Sequence, residues 1–168
     1  RYNWYWIKEK ASGFQFSGKQ PMRKVEEVVM FYKEQPKYDK QGEKLEKPRK
    51  GMLPIIKSPS SPLSSNNINP DGSRIYKWYT YRTKHNVIEL PKDDNRKRVY
   101  VHPTQKPVAL LEYLIKTYTN EGEIILDNCM GSGSTGVAAI NCNRKFIGIE
   151  LDENYFNIAK NRIIEVIN

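Results

Sequence analysis

The 168 residues predict an α/β fold, part of a doubly wound parallel sheet that carries an irregular basic insertion. Three observations point there. Residues 123–167 read as strand, glycine loop, helix, strand and helix, the order of one half of such a sheet. The loop, inside "EIILDNCMGSGSTGVAA", spells GxGxxG with Gly131, Gly133 and Gly136. The charge is unevenly spread: net +3 over residues 1–36, +8 over 37–100 and −2 over 101–168, within a total of +9. The expected organisation is therefore part of a sheet in 1–36, a basic insertion in 37–100 and a ligand-binding half in 101–168.

The elements follow in order. "YNWYWIKEK" (2–10) is aromatic and β-branched enough for a strand, and "ASGFQFSGKQPMR" reads as the loop after it. "KVEEVVMFYK" (24–33) is a second strand around Val28, Val29, Met30 and Phe31. The chain opens without Met on what reads as the middle of a strand. The expectation is a fragment whose sheet lacks upstream strands and exposes apolar edges.

Between 36 and 75, Pro36, Pro48, Pro54, Pro59, Pro62 and Pro70 argue against any regular element and for an irregular, mobile insertion. "RIYKWYTYRTKHNVIEL" (74–90) interleaves Tyr76, Trp78, Tyr79 and Tyr81 with Arg74, Lys77, Arg82 and Lys84. Such a stretch is either a packed hairpin core or a surface on which bases stack.

From residue 101 the pattern becomes regular. Val108, Leu111, Leu114, Ile115 and Tyr118 have helical spacing; Pro107 is tolerated at the start and Gly122 marks the end. "EIILDN" reads as a buried strand of the parallel kind, "STGVAAINC" as a short helix of small residues and "KFIGIE" (145–150) as a second strand. "DENYFNIAKNRIIEVI" is the last helix, with Asp152 as N-cap and Leu151 and Phe156 at hydrophobic-staple spacing.

Several classes fall away. There is no signal peptide and no apolar run long enough to span a bilayer. Cys129 and Cys142 lack metal-ligand spacing and read as free thiols of a cytoplasmic protein. The basic middle points to a polyanion, nucleic acid above all, against the plainer alternative of a solvated lysine-rich surface.

Three ligands compete for the glycine loop. A P-loop needs a lysine after its glycines, and none is present. A dinucleotide site needs an acid about twenty residues on to take the ribose hydroxyls, and Glu150 stands 19 residues after Gly131. S-adenosylmethionine needs the same ribose acceptor but has a cationic sulfonium in place of a pyrophosphate. Asp127, entering the loop, is awkward beside a pyrophosphate and suits a cation.

"HPTQKP" (102–107), "DNCMGSGSTG" and "FIGIELDENYFNIAKNRI" together closely resemble the DNA amino-methyltransferases (adenine-N6 or cytosine-N4). The likeness is to the group whose cofactor motifs lie C-terminal to its catalytic motif, and it covers essentially the whole chain. It implies a Rossmann-like methyltransferase fold, S-adenosyl-L-methionine as cofactor and double-stranded DNA as substrate, with 1–36 as part of the catalytic-half sheet, 37–100 as the basic target-recognition insertion and 101–168 as the cofactor-binding half. A restriction endonuclease is an implied partner, although such enzymes also occur alone, including in phage and prophage genomes.

The resemblance also implies site roles. Asp127, Gly131, Ser132 and Gly133 shape the methionine end, and Glu150 takes the ribose. Thr104, Lys106 and Pro107 line the site, with Lys106 a candidate for the cofactor carboxylate; His102 reads as a turn residue. Asn128 and Cys129 replace the family's more usual Pro-Phe, and Val25 stands where the family often has His. The family's catalytic Asp/Asn-Pro-Pro-Tyr/Phe/Trp tetrapeptide does not occur, and is expected upstream of Arg1. Two rivals remain: a non-catalytic DNA-binding remnant, and an NAD-dependent oxidoreductase, which leaves "HPTQKP" and the basic insertion unexplained.

Overall fold

The computed structural model describes residues 2–52, 73, 76–82, 85–90, 102 and 104–168. Its strands are β1 (Tyr2–Ser12), β2 (Arg23–Met30), β3 (Glu43–Met52), β4 (Tyr76–Arg82), β5 (Val87–Glu89), β6 (Ile124–Asp127) and β7 (Lys145–Gly148). Its helices are α1 (Val108–Tyr118), α2 (Ser134–Asn141) and α3 (Glu153–Ile167), with a 3-10 turn at Phe14–Phe16. Two compact units result: Arg1–Asp39 with His85–Asn168, and Lys40–Lys84.

In the first unit, β2, β1 and β5 form one sheet in that order. β1 runs antiparallel to β2, with Trp4 opposite Val28 and Trp6 opposite Glu26, and parallel to β5, with Trp6 beside Ile88. Strand alternation sends Trp4 and Trp6 to one face, where they are buried with Ile88 and Leu110. Val87–Glu89, expected from the sequence to lie inside the insertion, is thus a strand of this sheet.

α1 serves two cores. Leu110 packs against Trp4 and Trp6, with Tyr113 and Leu114 beside it. Val108, Leu111 and Ile115 face Ala138 and Ala139 of α2. The Tyr113 ring meets Trp4 edge-on at 5.6 Å, and the Tyr118 hydroxyl accepts from the Trp4 indole N–H and from Tyr2. These rings bury apolar surface while their polar tips stay satisfied.

α1 stops at Tyr118 rather than running to Gly122. Buried Arg144 donates to the Thr119 carbonyl at 2.7 Å and to its hydroxyl at 3.0 Å, satisfying the chain where the helix leaves carbonyls unpaired. Gly122 instead sits in the turn before β6, its N–H donating to Asn143.

β6 and β7 pair in parallel, with Asp127 beside Gly148. α2 covers one face through Ile125 and Phe146. On the other, Ile124, Leu126, Ile147 and Ile149 are between 51% and 62% exposed. The expected fully buried strand is therefore buried on one side only. Asp152 does cap α3, its Oδ1 accepting the Tyr155 N–H at 2.9 Å. Leu151 is fully exposed, so the expected staple to Phe156 does not form.

The second unit is a two-stranded antiparallel ribbon, β3 with β4. It corrects the expectation of no regular element between 36 and 75. β3 runs through Pro48 because the register shifts between Lys44 and Arg49. A proline in such a bulge removes no ladder hydrogen bond. Pro54, Pro59, Pro62 and Pro70 lie outside the described residues. Tyr76 and Trp78 are 49% and 63% exposed, so they do not make a packed hairpin core. The Lys50 ammonium lies 4.7 Å from the Tyr76 ring centre.

Candidate functional site

The site forms where β6 and β7 end. Ile149 N–H donates to the Asp127 carbonyl and Met130 N–H to the Ile149 carbonyl, which carries the parallel pairing into the loop. The loop then turns on Gly131 and Gly133, at φ +53° and +77°, and enters α2. A Cβ on Gly133 would lie 2.7 Å from that of Ala159, so only glycine lets α3 approach this closely.

Two carboxylates border the loop. Glu150 Oε2 accepts the Gly131 N–H at 2.7 Å, and its Oε1 accepts those of Leu151 and Asp152 at 3.0 Å each. The amides of Asp152 and Gly131 lead in holding the Glu150 carboxyl below its ordinary value of 4.5. Asp127 Oδ2 accepts the Thr135 hydroxyl at 2.6 Å and Oδ1 the Cys129 N–H at 3.1 Å. Among the described residues neither carboxylate pairs with a lysine or arginine. A carboxylate has about four lone-pair sites, so both keep acceptor capacity for a ligand. The arrangement suits hydroxyl donors and a cationic centre.

The loop amides divide. Gly131 N–H is held by Glu150, and Gly133 N–H donates to the Met130 carbonyl at 2.8 Å. Ser132 N–H and the first-turn amides of α2 remain as the anion-attracting end of the site.

Of the "HPTQKP" residues, Gln105 hydrogen-bonds the loop and the His102 ring stands against it at Gly131, where a Cβ would lie 3.5 Å from the ring. Gln105 Oε1 accepts the Ser132 hydroxyl at 3.1 Å. His102 makes a turn, its carbonyl accepting from Gln105 and its Nδ1 from the Thr104 N–H. Its ring stands edge-on to Tyr155 at 4.3 Å. Pro107 precedes α1, its carbonyl accepting from Leu110 and Leu111. Thr104 is exposed beside His102.

Lys106 pairs with Glu26 of β2 at 2.9 Å, and Lys8 joins them at 3.3 Å. Partial burial raises the Glu26 carboxyl, but the two lysines together outweigh it and hold it below 4.5. Asp127, Gly131, Ser132, Gly133 and Glu150 thus converge, while the Lys106 ammonium is engaged by β2.

Three participants lie within the quoted motifs but have no role assigned from the sequence: Gln105, Thr135 and Arg162. Arg162 of α3 donates to the Ser132 carbonyl, to Ser132 Oγ at 3.0 Å and to Ser134 Oγ at 3.4 Å. It stands three residues after Ala159, which packs on Gly133, so helical spacing alone puts it on the loop-facing side of α3.

The chain is similar to known proteins. Type II methyltransferase M2.DpnII of Streptococcus pneumoniae is 52% identical over 62 residues, 37% of this chain and 23% of that protein. DNA adenine methyltransferase YhdJ of Escherichia coli (strain K12) is 48% identical over 62 residues, 37% of this chain and 21% of its own length. The matched segment thus spans less than a quarter of either relative. The solved M1.HpyAVI–SAM complex aligns with a TM-score of 0.58 at 24% identity, covering 97% of this chain and 61% of that one. It supports the fold. A family model described as DNA methylase matches residues 2–161, and with that match over nearly its whole length the chain belongs to the DNA methylase family.

Proposed function

We propose that this chain holds S-adenosyl-L-methionine and DNA for a site-specific DNA methyltransferase that methylates an exocyclic base amine, adenine N6. One observation carries the cofactor: two carboxylates, Asp127 and Glu150, both anchored by neutral donors, flank a glycine loop whose remaining amides can take an anion. That set complements a ligand with ribose hydroxyls, a sulfonium and a carboxylate. Bound there, the cofactor supplies an electrophilic methyl group. Glu150, with about one lone-pair site left, would accept a ribose hydroxyl, Asp127 would face the positive end, and the Ser132 amide with the α2 first turn would face the carboxylate. These contacts fix the donor's orientation, which is the chain's share of the rate.

The target amine is buried in a duplex, so the base is flipped out at a cost of a few kcal/mol. The acceptors that orient it belong to the catalytic tetrapeptide, which is not in this sequence. The adenine assignment leans on the general resemblance and on the name of the Escherichia coli relative. The type II name of the pneumococcal relative supports a restriction endonuclease as a partner.

Glu150→Ala tests the cofactor reading: titration with S-adenosylmethionine is expected to show at least about a tenfold loss, the scale of a hydrogen bond to a charged group. Unchanged affinity removes the assignment. The basic middle supplies the DNA contacts. If roughly six to ten phosphates are engaged, affinity falls about 10³–10⁵-fold between 50 and 200 mM salt. A flat salt response argues against DNA binding by this chain.

A further inference from the structure

We propose that Arg162 is a positioning residue that selects the carboxylate end of the cofactor from behind the glycine loop; this rests on the cofactor reading above. Its guanidinium grips the loop at the Ser132 carbonyl and at both serine hydroxyls. Ser132 and Ser134 are buried, at 3% and 6% exposure, so this grip lies in the packed side of the loop.

Two consequences follow from the chemistry. Arginine can only donate, so Ser132 Oγ accepts from it, and the single hydroxyl proton goes to Gln105 Oε1. Arg162 thereby fixes the direction of the bond that ties "HPTQKP" to the loop. Peptide planarity does the rest: holding the Ser132 carbonyl also sets the Gly133 N–H, which donates to Met130.

The second consequence is electrostatic. The guanidinium places a full positive charge against Ser132 and Ser134, at the start of α2. It adds to the partial positive charge of the helix N-terminus in a partly desolvated setting. Lys106, the other candidate for attracting the carboxylate, is engaged by Glu26. Arg162 is the cation hydrogen-bonded to this loop among the described residues.

The test compares two ligands that differ only in the carboxylate: S-adenosylmethionine and its decarboxylated form. Binding of each to the 168-residue chain is measured by calorimetry for wild type, Arg162→Met and Arg162→Lys. R162M is expected to weaken S-adenosylmethionine about tenfold and the decarboxylated ligand by no more than about twofold. R162K, which keeps the charge, is expected to restore most of the preference. Arg162→Gln replaces R162M if the latter does not fold, with the same selective loss expected. An equal loss for both ligands, or no loss for either, overturns the role of Arg162 and leaves the cofactor reading standing. A wild-type chain that binds neither ligand overturns the cofactor reading, and this proposal with it.

Discussion

Glu150 closes the loop and opens α3 with one carboxylate, because its two oxygens accept the amides of Gly131, Leu151 and Asp152. Those donors favour the ionised form, so its folded pKa lies below 4.5. The linkage sign follows: the stabilisation is fully present above the unfolded value and is lost as pH falls through the lower, folded one. We predict that Glu150→Gln lowers the thermal midpoint at neutral pH and that the gap to wild type closes below pH 4.5. A gap that persists in acid would falsify the assignment.

Gly133 is the second sensitive position. At φ +77°, with Ala159 already at contact distance, Gly133→Ala meets backbone strain and overpacking together. The expected loss is about 2 kcal/mol or more, on the order of 4–8 °C in the midpoint of thermal unfolding. The GxGxxG spacing alone marks Gly133. Arg162, thirty residues from Ser132, is marked only by its spacing from Ala159, and that spacing is informative only once α3 is known to pack on the loop.

Elements are legible in the sequence where they are local. The order of β6, α2, β7 and α3 is written in short apolar runs, a glycine turn and an Asp cap, all within 45 residues. β5 is not legible, since three residues give no period and its pairing with β1 is long-range. β3 is hidden by Pro48, whose tolerance depends on a bulge no propensity reveals.

The crossing of α2 and α3 offers an element-level test. A Cβ on Gly136 would collide with Ile163 and lie 2.7 Å from Phe146 Cε1. Gly136→Ala is therefore expected to cost about 1–3 kcal/mol by overpacking. Ile163→Ala opens room at the same contact, so the double variant should unfold closer to wild type than the two single losses predict. Additive losses in denaturant melts would show that the two positions are not coupled.

For the molecule as a whole, the resemblance carried in three motifs reaches the family, whereas the unit that holds the β3–β4 ribbon, Lys40–Lys84, is only part of the basic middle, whose Val87–Glu89 joins the β1 sheet instead. What neither indicates is how asymmetric the β6–β7 pair is. α2 covers Ile125 and Phe146, whereas Ile124, Leu126, Ile147 and Ile149 face outward. Parallel sheets are ordinarily covered on both faces, so an open apolar face of this kind favours association. If the face is open in solution, Leu126→Thr with Ile147→Thr changes the unfolding free energy by no more than about 1 kcal/mol, since exposed positions tolerate substitution. The same pair reduces self-association in sedimentation velocity. Phe146→Ala, on the covered face, is instead expected to cost about 3 kcal/mol by leaving a cavity beside α2. A loss at Leu126 and Ile147 as large as that at Phe146 would show that the outward face is packed, and that the strand is buried on both sides after all.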